Sequence, residues 1–211
     1  PDNDYTELDS GRTSLAGHGG TIGIGKFANG HLRYSANVSW KSPGLELNDI
    51  GFISTTDQIN QSLWIGYFYW EPFSIFRDLD LGLSQWSVFD FGGNLNHKGL
   101  NLNMNSQFRN YWSLSSGINM ALEGLTNYAL RGGPSMLSPA NIMIYVEIES
   151  DERKKLNYEF NTFQTWTDEK SNRDQNYGID LNYRPFDALS TSLDCNFYTG
   201  KSDLQYITKI T

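Results

Sequence analysis

Hydrophobic and polar residues alternate one by one along most of the chain. From His31 to Lys41, Leu32, Tyr34, Ala36, Val38 and Trp40 fall on one side, and His31, Arg33, Ser35, Asn37, Ser39 and Lys41 on the other. Lys98 to Phe108 repeats the pattern, with Leu100, Leu102 and Met104 against Asn101, Asn103, Asn105 and Gln107. So does Tyr177 to Tyr183, with Tyr177, Ile179, Leu181 and Tyr183 against Gly178, Asp180 and Asn182. Successive side chains on a strand point to opposite faces, so a period of two predicts strands with one apolar and one polar face. About eleven strands are predicted, over 18–27, 31–41, 58–70, 73–91, 98–108, 111–122, 141–149, 154–166, 176–184, 188–199 and 203–208.

Strand length and the spacing of connections narrow the fold. Several of these runs reach ten residues or more, whereas globular strands usually hold about five or six. Strands that cross a bilayer at a tilt need about 9–11. The connections read as alternately short (28–30, 71–72, 109–110, 150–153, 185–187) and long (42–57, 92–97, 123–140, 167–175). Outer-membrane barrels combine short turns on one side with longer loops on the other. The expectation is an all-β, antiparallel, up-and-down transmembrane β-barrel, present only in part. It forms one region over 1–211, with 1–16 as a lead-in. Leu32, Tyr34, Val38, Trp40, Leu100, Leu102 and Met104 are expected to face lipid. Asp78, Asp80, Asn101, Asn103, Asn105, Gln107, Asp180 and Asn182 are expected to face the lumen. Aromatics near the short turns (Tyr67, Phe68, Tyr69, Trp70 and Phe73; Phe108, Tyr111 and Trp112; Tyr183 and Phe186) read as an interfacial girdle, or as cross-strand ring pairing beside hairpin turns.

Composition fits this picture. Apolar residues are 38% and aromatics 14% of 211 residues. A barrel needs only every second residue to be apolar, so low mean hydropathy and many rings coexist. The net charge of −8 and the Lys and Arg, scattered apart from one short cluster at Arg153, Lys154 and Lys155, give no nucleic-acid footprint. The lone Cys195 excludes an intrachain disulfide and a Cys-rich zinc site. No apolar run is long enough for a transmembrane helix.

Chemical motifs are few. Gly20 to Lys26 matches the glycines of a phosphate loop, but Phe27 stands where magnesium binding needs Ser or Thr, and a strand follows instead of a helix. His18, His31 and His97 lack metal-ligand spacing, so neither metal nor cofactor is expected. Asp78 with Asp80, and Glu147 with Glu149, share a strand face roughly 7 Å apart, a separation open to acid–base work. Acids lining a water-filled interior are the commoner reason for such pairs. The loop 42–57 carries Leu45, Leu47, Ile50, Phe52 and Ile53, more apolar residues than a solvated loop needs. It is expected to plug or gate the lumen or to meet a partner. Leu45, Glu46, Asn48, Asp49 and Phe52 are its candidate residues, with Arg131 of the loop 123–140 as an ionic partner for Glu46 or Asp49.

Three stretches carry a resemblance: Ser42 to Ile53 (SPGLELNDIGFI), Phe108 to Leu114 (FRNYWSL) and Asn127 to Pro134 (NYALRGGP). Together they are similar to a family of large proteins common in Bacteroidetes, usually of unknown function. Its members pair an N-terminal domain similar to family-nine carbohydrate-binding modules with a long C-terminal barrel region. The resemblance implies an outer-membrane location and a link to glycans. The hydrolase label that members often carry belongs to the N-terminal domain, which is not represented in this sequence. The expected function is therefore non-enzymatic: a conduit or docking element, porin-like, in contact with outer-membrane lipid, other envelope proteins and glycans. The alternatives are a structural subunit of a secretion or assembly complex, an envelope glycan hydrolase, or a soluble glycan-binding β-domain.

Overall fold

The computed structural model describes residues 11–47, 51–126, 135–168 and 172–202. These residues form strands and no helix. In chain order the strands are β1 (Gly19–Lys26), β2 (Leu32–Lys41), β3 (Gln58–Tyr69), β4 (Phe76–Phe89), β5 (Leu95–Phe108) and β6 (Ser113–Ala121). They continue as β7 (Gly124–Thr126), β8 (Met136–Ser138), β9 (Asn141–Glu149), β10 (Leu156–Thr167), β11 (Asn172–Phe186) and β12 (Leu189–Ser202). Ten of them make one antiparallel sheet in the order β1-β2-β3-β4-β5-β6-β9-β10-β11-β12, and β7 and β8 pair as a separate small hairpin. The large sheet is not closed: β1 and β12 are its edges.

The strands form where alternation predicts them, and the ends differ. β4 begins at Phe76, because Phe73 and Phe76 bridge to each other around a tight turn in which Ser74 takes a positive φ. The ten strands of the large sheet correspond to the first ten of the eleven expected, with β12 running on to Ser202, and the eleventh, 203–208, lies outside the described residues. Two connections depart from expectation, the one after β4 in position (90–94 for 92–97) and the one after β10 in length (168–171 for 167–175). Strands β4 and β5 run to Phe89 and from Leu95, and the turn between them is closed by Asp90, whose carboxylate accepts from the Asn94 backbone and side-chain N–H groups at 2.8 Å each. Likewise β10 and β11 extend to Thr167 and from Asn172. Only 42–57 and 122–140 remain long, and the latter folds its own hairpin, β7–β8, whose Gly124 lies against the Asn96 backbone. The alternation of short and long connections is therefore incomplete.

Burial is the reverse of that in a globular domain. Among the described residues no hydrophobic side chain is buried; the buried polar residues are Ser42, Asp90, Asn96, Ser106, Thr126, Ser150 and Asp151. A single sheet with no covering layer has no interior, and folded domains in water bury one face against another layer.

Candidate functional site

Directly paired residues in an antiparallel sheet share a face, so the register sorts every side chain. On one face lie Leu32, Tyr34, Val38 and Trp40 of β2, and Leu100, Leu102 and Met104 of β5. Cross-strand rows such as Tyr34–Ile65–Leu83–Leu102–Ile118–Ile144 carry apolar side chains over six strands. Many are openly exposed, among them Ile24, Leu32, Ile65, Leu102, Ile142 and Ile179. The opposite face holds Asp78, Asp80, Asn101, Asn103, Asn105, Gln107, Asp180 and Asn182.

On that polar face the pairings assemble a row that no single strand contains. Asp78 faces Gln107, then Ser113, Glu149, Glu159, Asp180 and Asp194. Four carboxylates (Glu149, Glu159, Asp180, Asp194) are direct neighbours on four consecutive strands. Beside it runs Phe68–Asp80–Asn105–Ser115–Glu147–Asn161. The acids are held by neutral donors: Ser113 Oγ donates to Glu149 at 2.8 Å, the Gln107 backbone N–H to Asp78 at 3.2 Å, and Asn161 Nδ2 to Glu159 at 3.1 Å. Like charges directly opposite one another destabilise a sheet, so the row costs stability and draws counter-cations.

Rings also lie on the polar face, where glycine makes room for them. A Cβ at Gly66 would sit 2.5 Å from the Trp64 ring, one at Gly117 would sit 2.6 Å from Tyr145, and one at Gly99 would strike Trp86. Each aromatic is thus laid against bare backbone, Trp64 along its own strand and Trp86 and Tyr145 over the glycine paired with them on the next.

At the end of the sheet with the tight turns, rings and cations meet. His31 stacks on Tyr67 at 5.8 Å, Tyr67 contacts Tyr69 at 5.1 Å, and the series continues through Phe73 and Phe76 to Phe108, with centroids 4.7–5.5 Å apart. Arg33 lies 4.8 Å from the Phe68 and Trp70 rings. Tyr111, held at a φ of 66°, is clamped between Arg77 at 4.1 Å and Arg153 at 3.0 Å from its ring centre. Arg153 grips Asp151 with a two-pronged contact, Nε to Oδ1 at 2.7 Å and Nη2 to Oδ2 at 2.8 Å. That fork holds the Asp151 carboxyl down at a pKa of about 2 and raises that of Arg153. Two hollows flank the clamp. One of about 190 Å³ is lined by Gln107, Ser113, Glu149 and Arg153 at the end of the acid row. The other, of about 510 Å³, lies between the turns 109–112 and 150–155.

The predicted plug residues fare differently. Phe52 is 90% exposed. Leu45 is half-buried against the lead-in at Gly17 and Gly19, while Glu46 and Leu47 are exposed. Asn48, Asp49 and Arg131 lie outside the described residues, as does the predicted ion pair of Arg131. The lead-in is pinned by His18, whose backbone N–H donates to Ser42 Oγ at 2.7 Å and whose ring accepts from Trp40 Nε1 at 3.1 Å. Among the described residues no cluster of His, Cys, Asp and Glu could hold a metal ion. The acid row and the Tyr111 clamp were not found by sequence reasoning: the signal for the first lies in strand register, and for the second in a turn that places Arg153 over a ring.

The model of one protein family, Domain of unknown function (DUF5916), matches residues 3–211, and the chain belongs to that family. No curated protein and no solved structure matches it.

Proposed function

We propose that this member of a domain family of unknown function is part of a transmembrane β-barrel of the bacterial outer membrane, acting as a conduit or docking element and not as an enzyme. One observation carries the reading: a ten-stranded sheet with no buried hydrophobic residue displays large apolar side chains openly along one face. Water penalises such a surface by roughly 25 cal/mol per Å², and contiguous patches beyond a few hundred Å² are rare on soluble monomers. Lipid removes the penalty. Strand length agrees, since β4, β5 and β12 hold 14 residues each and β11 holds 15, more than a tilted crossing requires. The ring series at the tight-turn end supports a girdle at one membrane boundary.

In this reading the acid row lines the aqueous side and favours cations. The rings laid on glycine, Trp64, Trp86 and Tyr145, favour glycans as the material passed or docked, because a flat ring offers its free face to the apolar side of a sugar.

The test is to fractionate cells making the full-length protein, wash the membranes with carbonate, and run the extract heated and unheated on a denaturing gel. Outer-membrane retention with a heat-dependent mobility shift is expected. Release into the soluble fraction without a shift defeats the reading. In planar bilayers a salt gradient should then give a cation-selective reversal potential, which E149Q/E159Q/D180N/D194N moves toward zero. A silent bilayer would favour a structural subunit over a conduit.

A further inference from the structure

The hollow between the turns 109–112 and 150–155 joins two chemistries. Its upper rim carries Arg109 and Lys154. Among the described residues neither makes a salt bridge within 4 Å; the Asp151 carboxylate, which also lines the hollow and feels the charge of Lys154, is held by the Arg153 fork. Its floor is apolar and aromatic: Leu156 is 51% exposed, Tyr158 is exposed, and Trp112 meets the Tyr158 ring edge-on at 5.3 Å. Leu156 and Tyr158 pair with Tyr183 and Leu181, and so belong to the apolar face. The hollow therefore opens onto that face below and onto the turns above. It is also rigidly framed. Ser150 and Tyr158 exchange bonds, backbone N–H to carbonyl at 2.9 Å and backbone N–H to Oγ at 2.8 Å. The turn 109–112 is closed by Phe108 N–H to Trp112 O at 2.7 Å and tied to the neighbouring turn by Arg109 N–H to Ile75 O at 2.8 Å.

We infer that this hollow binds an anionic phospholipid, its phosphate between Arg109 and Lys154 and its acyl chain along Leu156, Tyr158 and Trp112. A free phosphate would use the two cations and leave the apolar floor wet. A neutral detergent or lipid would use the floor and leave the cations unpaired. Only a molecule with an anionic head and an apolar chain matches both halves, at the depth where an interfacial aromatic girdle sits. The inference rests on the membrane reading and sharpens it: it assigns the tight-turn end to a leaflet that contains anionic phospholipid.

Full-length protein in a neutral maltoside detergent, titrated with phosphatidylglycerol or with phosphatidylcholine of the same chains, is read by native mass spectrometry. Phosphatidylglycerol should be retained about tenfold better, the worth of one to two basic residues at a lipid surface. R109Q/K154Q should bring the two lipids level, while millimolar inorganic phosphate leaves the phosphatidylglycerol adduct in place. Equal retention by the unaltered protein overturns the proposal without any variant. Undiminished preference in R109Q/K154Q overturns it too, and displacement by inorganic phosphate shows an anion site and not a lipid site. Failure of the membrane reading has a separate signature, a protein that stays monodisperse without detergent and shows no heat-dependent shift.

Discussion

At one end of the sheet the strands are joined by tight turns, at the other by 42–57, by the β7–β8 excursion and by two short turns, and the two ends are held by different forces. The tight-turn end is built from rings and cations: the series from His31 to Phe108, Arg33 over Phe68 and Trp70, and Tyr111 between two guanidinium groups. The other end is pinned by polar groups. Asp90 is 1% exposed and accepts from Asn94, Asp57 accepts from the Phe91 backbone at 2.9 Å, and His18 is tied to Ser42. Rings tolerate a boundary where one side is apolar and the other wet. A buried carboxylate held by hydrogen bonds occurs at both ends, Asp90 at one and Asp151 at the other, so the contrast lies in the rings and cations gathered at the tight turns. In the membrane reading proposed above, the ring-rich end lies at a lipid–water boundary, even though the strands between the two ends are uniform.

Substitutions at each end test how it is held. The largest effect is expected from Tyr111→Ala, which removes the platform shared by Arg77 and Arg153 and should cost about 3 kcal/mol, read as a fall in the temperature of the heat-dependent gel shift. Asp90→Ala should cost about 2 kcal/mol, because it removes the carboxylate that accepts two hydrogen bonds across the turn; denaturant unfolding in micelles gives the value. A change below 0.5 kcal/mol at either site, within the range of ordinary surface substitutions, would show that the end concerned is not held as described. Gly124→Ala drives a Cβ into the Asn96 carbonyl. It should loosen only β7–β8, raising amide exchange there by about tenfold and leaving the ten-stranded sheet unchanged. The smallest effect is on pH dependence. The folded Asp151 titrates near 2, below its ordinary range. The stability it contributes is therefore complete above about pH 4 and lost as the pH falls through 2. Asp151→Asn should flatten that acid limb of an unfolding-against-pH curve, and an unchanged limb would mean that the fork with Arg153 does not persist in solution.

What the sequence made legible follows from the distance over which its signals act. Alternation is a property of neighbours along the chain, so β2, β5 and β9 could be placed to within a few residues, and the residues sharing each face on any one strand were evident. The three-residue strands Gly-Leu-Thr and Met-Leu-Ser of β7 and β8 are too short for a period of two to register. The turn at 90–94 was placed at 92–97, with Asp90 inside the strand, because its closure depends on one carboxylate, Asp90, reaching Asn94. Register is a property of pairs of strands, and alternation within one strand does not reveal it. Glu149, Glu159, Asp180 and Asp194 therefore stood as unrelated acids until pairing set them side by side. Arg153 showed only as part of a basic run with Lys154 and Lys155, because a cation over a ring depends on how a turn bends.

The two outermost strands bear on a matter of counting. Every neighbouring pair from β1 to β12 in the large sheet is antiparallel, so across ten strands the first and last run in opposite directions. Around a closed meander each strand must oppose both neighbours. β1 and β12 can then meet directly or be bridged by an even number of further strands. An odd number would force one parallel pair, which a tight turn cannot connect. Whatever supplies the remainder, any up-and-down barrel completed from this sheet is even-numbered.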